Sequence, residues 1–245
     1  MNPTITAATA ARVLAQLRRD RRTVAYLLLV PCVLITLLKF VLDGNPGSFE
    51  RIGGPSLGLW AFIGMFLVAS VTMLRERTTG TLERLMTLPL AKIDLLVGYA
   101  GGFTLVAIVQ AILVSSVAFG LLGLEVSGSH LAVVALVVGN AVLGMALGLF
   151  VSAFAHTEFQ TMQFMPAFVF PQLLLCGLFV PRAEMAPALE TASNLMPLTY
   201  AYDALARVSG GSTGGGRLAL DVAVIAGTTL LALILGATTL RRRTP

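Results

Sequence analysis

Charge is scarce in this chain. Of its 245 residues only 12% are Asp, Glu, Lys or Arg, about half of what a soluble domain carries. Hydrophobic residues make up 56%. A water-soluble fold of this length has too little interior for that much apolar surface, and long uncharged runs point to lipid as the solvent. Lysine occurs only at positions 39 and 92, and neither follows a glycine-rich turn. With no G-x-x-x-x-G-K-[ST] loop, the chain has no phosphate cradle of the kind that binds ATP. The two histidines, His130 and His156, stand alone at the ends of apolar runs, with no H-E-x-x-H or other metal-ligand spacing around them. A G-x-S-x-G elbow is also missing. Cys32 and Cys176 have no CxxC partner and read as small apolar residues. Paired carboxylates at membrane depth, the usual mark of proton-coupled transport, are absent; Asp221 is the main acidic residue within a predicted span.

The formal charge is +5 and the pI about 9.8. The basic residues fall in short segments between apolar runs, a pattern of membrane loops rather than of nucleic-acid binding. A bilayer core of about 30 Å needs about 20 helical residues. Six runs meet that length: 23–42, 56–74, 95–122, 131–155, 161–180 and 218–240. Continuous apolarity argues for helices rather than the alternating strands of a barrel. The expected fold is all-α and integral to the membrane, with residues 23–240 as a six-helix domain. The first run is too long for a signal peptide's apolar region and is expected to be retained.

Twelve Lys and Arg residues lie on the side of the N-terminus: Arg12, Arg18, Arg19, Arg21, Arg22, Arg75, Arg77, Arg84, Lys92 and Arg241 to Arg243. The opposite side carries four, Arg51, Arg182, Arg207 and Arg217. This bias places both termini, including the basic tail 241–245, in the cytoplasm. Residues 1–22 are too polar to span. Ala10, Val13, Leu14 and Leu17 recur at helical spacing, which predicts an amphipathic helix on the inner membrane face. The long outer segment 181–217 is expected to contain a short helix opened by Pro197, followed by a flexible glycine joint at 210–216.

The most informative stretch is LRERTTGTLERLMTLPL, residues 74–90. Arg75, Glu76 and Arg77 end the second run with charges. Gly80 permits a turn with positive φ. Thr81 is a candidate cap for a short helix presenting Leu82, Leu85 and Met86 until Pro89 stops it. A plain hairpin loop does not need those apolar side chains, and they suit a groove on a partner protein. This stretch resembles the permease subunits of ABC-2 type transporters, especially daunorubicin-resistance-type drug exporters. Glu76, Gly80, Thr81, Leu82, Glu83 and Leu85 match that family's E-R-E-x-G-T-L-E-x-L-like motif, with one extra residue before the glycine. A second match is NLMPLTYAYDALARV, where Pro197, Leu198, Thr199, Tyr200, Asp203, Ala204 and Leu205 fit an N-P-L-T-Y motif and its tail.

The resemblance implies a coupling helix at about residues 81–87, bearing Glu83, Arg84 and Met86 among others, that docks on a separate nucleotide-binding ATPase subunit. ATP and Mg would then be bound by that partner and not by this chain. It implies that the N-terminal helix touches the same partner, that the segment around residues 185–208 re-enters the outer leaflet, and that a second permease subunit completes the pathway. By the same resemblance, substrate contacts fall on spans two and five, at Phe62, Met65, Gln163, Pro166, Phe170 and Pro171. Pro166 and Pro171 read equally as pathway kinks or as ordinary bundle prolines. Gln110, Asn140, Gln160, Gln163 and Gln172 are expected to face the bundle interior. The two G-x-x-x-G pairs, Gly98 with Gly102 and Gly144 with Gly148, are expected to pack helices within the chain rather than between copies. An apolar pathway favours a lipophilic drug or lipid-like cargo in a plasma-membrane exporter. The alternatives are a polysaccharide or glycolipid permease, and a secondary transporter with no ATPase partner.

Overall fold

The computed structural model describes residues 3–45, 47–81, 84, 92–212 and 215–239. The described residues are helical, without a strand. Helix α1, Pro3–Arg19, opens on a proline and closes on Arg18 and Arg19, which complement the negative end of its dipole. Asp20 then joins two helices. Its N–H donates to the Gln16 carbonyl at 3.1 Å, ending α1. Its carboxylate accepts from the Thr23 amide at 3.1 Å and the Thr23 hydroxyl at 2.7 Å, opening α2, Arg21–Val41. Helix α3, Ser48–Thr78, has 31 residues and begins before Pro55, eight residues ahead of the sequence-based start. At 1.5 Å per residue it is about 46 Å long, well beyond the hydrocarbon core of about 30 Å.

Helix α4, Lys92–Ser116, runs on through a π-helical turn, Val117–Leu121. Helix α5 is His130–Val151, α6 is Glu158–Leu175, α7 is Pro187–Ser193, α8 is Pro197–Ser209 and α9 is Gly216–Thr239. The bundle is organised around α3 and α5. Glycine makes their contact possible: a Cβ at Gly144 would lie 2.2 Å from the Phe62 carbonyl oxygen, and one at Gly148 would lie 2.4 Å from that of Phe66. Both G-x-x-x-G pairs therefore pack helices within the chain, because Gly98 and Gly102 of α4 receive α1 in the same way.

Five helices are long and apolar enough to cross a membrane: Arg21–Val41, Ser48–Thr78, Asp94–Leu121, His130–Val151 and Gly216–Thr239. The expected fifth run, 161–180, is not among them. Its helix starts earlier, at Glu158, and stops at Leu175, because Gly177 takes a left-handed φ of 100° and Pro181 follows. Glu158, three glutamines and two prolines dilute its apolarity. One polar residue sits differently from expectation: Gln163 points outward while Gln110, Asn140 and Gln172 are buried. Asp94, in the first turn of α4, is buried as well.

Candidate functional site: a clasp at the basic end of the bundle

Four helices converge where α3 ends, and charge holds them there. Glu76 lies in the last turn of α3 and is only 3% exposed. Arg12 of α1 meets it with both terminal nitrogens, Nη1 to Oε1 and Nη2 to Oε2, each at 3.0 Å. The Tyr99 hydroxyl of α4 donates to the same carboxylate and accepts from Arg12. A planar guanidinium fits a carboxylate in this two-point fashion, which fixes orientation as well as distance. The residues are 64 and 23 positions apart from Glu76, so the cluster joins α1, α3 and α4 into one unit.

The reason α1 reaches this place is its buried stripe. Thr9, Val13 and Leu17 are enclosed, and the first two press on the glycine face of α4. A Cβ at Gly98 would meet the Thr9 Cβ at 2.5 Å, and one at Gly102 would meet the Ala10 carbonyl oxygen at 3.1 Å. Helix α1 was expected to lay an apolar face of Ala10, Val13, Leu14 and Leu17 on lipid. Instead Val13 and Leu17 are core residues, while Ala10 and Leu14 are only partly covered.

A second, wetter pair of contacts surrounds the first. Arg75 Nε donates to Glu158 Oε1 of α6 at 2.7 Å, and its Nη1 lies 3.4 Å from Asp20 Oδ2. These groups are half exposed, so each pair adds little on its own. Their value is positional: they tie the start of α6 and the α1–α2 joint to the end of α3. Hydrogen bonds from Thr23, and then the Arg75 charge, hold the Asp20 carboxyl below the ordinary value of 3.8. A polar groove of about 240 Å³ runs between Gln16 and Asp20 on one side and Thr72, Arg75 and Thr79 on the other.

The chain turns immediately beyond this clasp. The Thr79 amide donates to the Arg75 carbonyl at 2.9 Å and Gly80 adopts φ of 72°, as its place in the sequence predicts. Helical backbone resumes at Thr81, with the Arg84 amide donating to the Gly80 carbonyl at 3.1 Å. Leu82, Glu83, Leu85 and Met86 lie outside the described residues. Glu76 faces inward, so it serves the clasp and does not present a surface to a partner.

At the opposite end, α8 does what its proline-led sequence predicts. Pro197 occupies the first turn, and Leu198 and Thr199 are fully buried. The helix runs beside α3, with Leu205 against Gly58 and Ser209 against Gly54. The Leu198 amide donates to Gln172 Oε1 of α6 at 3.4 Å. Asp203 pairs with Arg182 at 2.5 Å, and the Tyr200 hydroxyl donates to the Asn194 carbonyl at 2.8 Å. The six residues expected along a pathway do not share one surface. Phe62 and Met65 are enclosed inside the chain. Gln163, Pro166, Phe170 and Pro171 all point outward from α6, together with Phe159, Met162 and Leu174. That spacing is one helical face left uncovered among the described residues.

Residues 5–208, from α1 to the end of α8, match the ABC-2 type transporter family. The chain belongs to that family. The "ABC transporter G family member 20" of Dictyostelium discoideum is 25% identical over 164 residues, covering 66% of this chain and 22% of that protein. The "Probable multidrug ABC transporter permease YbhR" of Escherichia coli K12 is 27% identical over 141 residues, covering 58% of this chain and 38% of that protein. The match thus spans well under half the length of these curated relatives. Family and fold together make this a multi-pass membrane protein.

Sequence reasoning found Glu76 but not its partners. Arg12 reads as one of five arginines near the N-terminus, and Tyr99 as one more residue of an apolar run. The available signal was the small-residue pair Gly98 and Gly102, which marks the face of α4 where another helix lies close.

Proposed function

We propose that this chain is the membrane-spanning permease subunit of an ATP-driven exporter, moving a lipophilic drug or lipid-like cargo with force from a separate ATPase subunit. The daunorubicin-resistance type of ABC-2 exporter is the subtype that its motifs resemble. The observation that carries the reading is the Arg12–Glu76–Tyr99 clasp, placed four residues before Gly80. It ties three helices into one body directly before the turn at Gly80, which leads into residues 81–87. A push on that segment is therefore delivered to α1, α3 and α4 together, not absorbed by one flexible helix end.

In this reading α6 crosses the membrane as well, giving six crossings and both termini in the cytoplasm. Glu158 pairs with Arg75 at the basic end of α3, the Phe168 ring stacks on Phe66 at 6.4 Å in its middle, and Gln172 reaches the start of α8. Those three contacts carry α6 along most of the height of α3. At 18 residues it rises about 27 Å, close to the thickness of the hydrocarbon core. Its uncovered face, with Gln163, Pro166, Phe170 and Pro171, is where a second permease subunit and the cargo would meet this one.

The test is substrate-stimulated ATP hydrolysis by the chain co-purified with its ATPase and reconstituted in vesicles. Replacing Leu82 and Leu85 by aspartate should leave insertion intact and abolish stimulation. Export surviving that double change would refute the coupling role. Transport by the chain alone, without nucleotide, would favour the secondary-transporter alternative.

A further inference from the structure

Helices α5 and α9 run in the same direction and meet where Gly236 lies against Phe150. Toward the end of the bundle opposite the clasp they leave a groove of about 660 Å³ between them. Ala132, Gly139 and Val142 line one wall and Leu218, Val222 and Leu230 the other. Val208 of α8 also lines it. The one hydroxyl on the walls, that of Thr229, is already bonded to the Ile225 carbonyl at 2.8 Å. The walls therefore offer no free hydrogen-bond donor to a polar solute and, being otherwise apolar, suit a hydrocarbon.

Its length fits one leaflet. From residue 132 to 142 an α-helix rises about 15 Å, and half of a hydrocarbon core of about 30 Å is the same. The charge at its mouth fits a phospholipid. Arg217 directly precedes Leu218 and is exposed; it lies within the electrostatic reach of Asp203 and Asp221 but closes no ion pair within 4 Å with a described residue. Its neighbour Arg207 is committed to Asp221 at 3.3 Å. We propose that this groove seats one acyl chain of an outer-leaflet phospholipid whose phosphate is held by Arg217. Anionic phospholipids then bind in preference to zwitterionic ones, because only they leave uncompensated negative charge beside the arginine. This site is independent of ATP coupling, since it uses none of the clasp and none of residues 81–87.

The experiment is native mass spectrometry of the full chain extracted from nanodiscs of mixed phosphatidylglycerol and phosphatidylcholine. The wild type should retain a phosphatidylglycerol molecule per chain. Gly139→Phe puts a ring on the groove wall at a position where an added Cβ meets nothing within 4 Å. It should lower retention about tenfold, the loss expected from about 1.4 kcal/mol of binding. Gly101→Phe adds the same ring at another open position and should retain lipid as the wild type does. Arg217→Gln should keep the adduct and lose the preference for phosphatidylglycerol. Equal retention in wild type and Gly139→Phe, or none in the wild type, overturns the proposal. So does a change of oligomeric state in Gly139→Phe, which would make the groove a contact between copies of the chain.

Discussion

Replacing Arg12 by methionine isolates the contribution of the clasp. The substitution keeps the unbranched stem that packs near α4 and removes the charge that pairs with Glu76. Glu76 is then left as a carboxylate 3% exposed, with Tyr99 as its remaining partner. Removing one member of a fully buried pair costs about 3–5 kcal/mol. Arg12 keeps 28% of its side chain in contact with solvent, so part of the carboxylate field is already screened. A cost of about 2–3 kcal/mol is expected. Glu76→Gln removes the buried charge from the other side. The double variant should cost less than Arg12→Met alone, because no uncompensated charge remains. Trp60, the only tryptophan, sits on α3 and reports chemical unfolding in mixed micelles by its fluorescence. A second readout is stimulated ATP hydrolysis with the partner subunit, which should fall in Arg12→Met where residues 81–87 no longer move α1 with α3. A change under about 0.5 kcal/mol for Arg12→Met, within the ordinary range of surface substitutions, would refute the clasp as a structural unit. So would strict additivity in the double variant.

Two further outcomes follow from the same contacts. Gly144→Val should abolish monodisperse purification, because its Cβ would fall 2.2 Å from the Phe62 backbone oxygen and α3 cannot yield without leaving Gly148 as well; size-exclusion chromatography checks this, and an unchanged profile would mean that the α3–α5 contact is looser than described. Asp20 has a folded-state pKa held below its ordinary value, so its contribution is present above the unfolded pKa and lost as pH falls through the folded one. Asp20→Asn should therefore remove part of the acid sensitivity below about pH 4 and leave the protein insensitive there to the Thr23 cap; thermal melts across pH 3–6 decide it, and identical acid limbs for the two proteins would count against the cap.

The parts of the fold that sequence made legible are those set by local rules. Apolar length located four of the five spans to within about four residues and missed the start of α3 by eight, Gly80 announced its left-handed turn, and Pro197 announced the start of α8. The parts that were not legible depend on residues far apart in the chain. Nothing local shows that Arg12, Glu76 and Tyr99 share one site. The extent of helix α6 is hidden for a different reason. Its apolar residues continue past Leu175, but Gly177 and Pro181 change the backbone direction regardless of hydropathy.

Pro31 shows how such distant relations are nevertheless constrained. A proline within α2 has no N–H, so the Leu27 carbonyl four residues earlier loses its helical donor. In lipid no water can replace that donor, and an unmet carbonyl costs several kcal/mol. The bundle supplies one: Gln110 Nε2 of α4 donates to the Leu27 carbonyl at 3.2 Å. Gly64 of α3 has no side chain in the way, since a Cβ there would lie 2.7 Å from the same nitrogen. A proline on one helix, a glutamine on a second and a glycine on a third are thus three parts of a single requirement. Each is unremarkable in its own segment, and only the membrane's lack of alternative hydrogen-bond partners makes them interdependent.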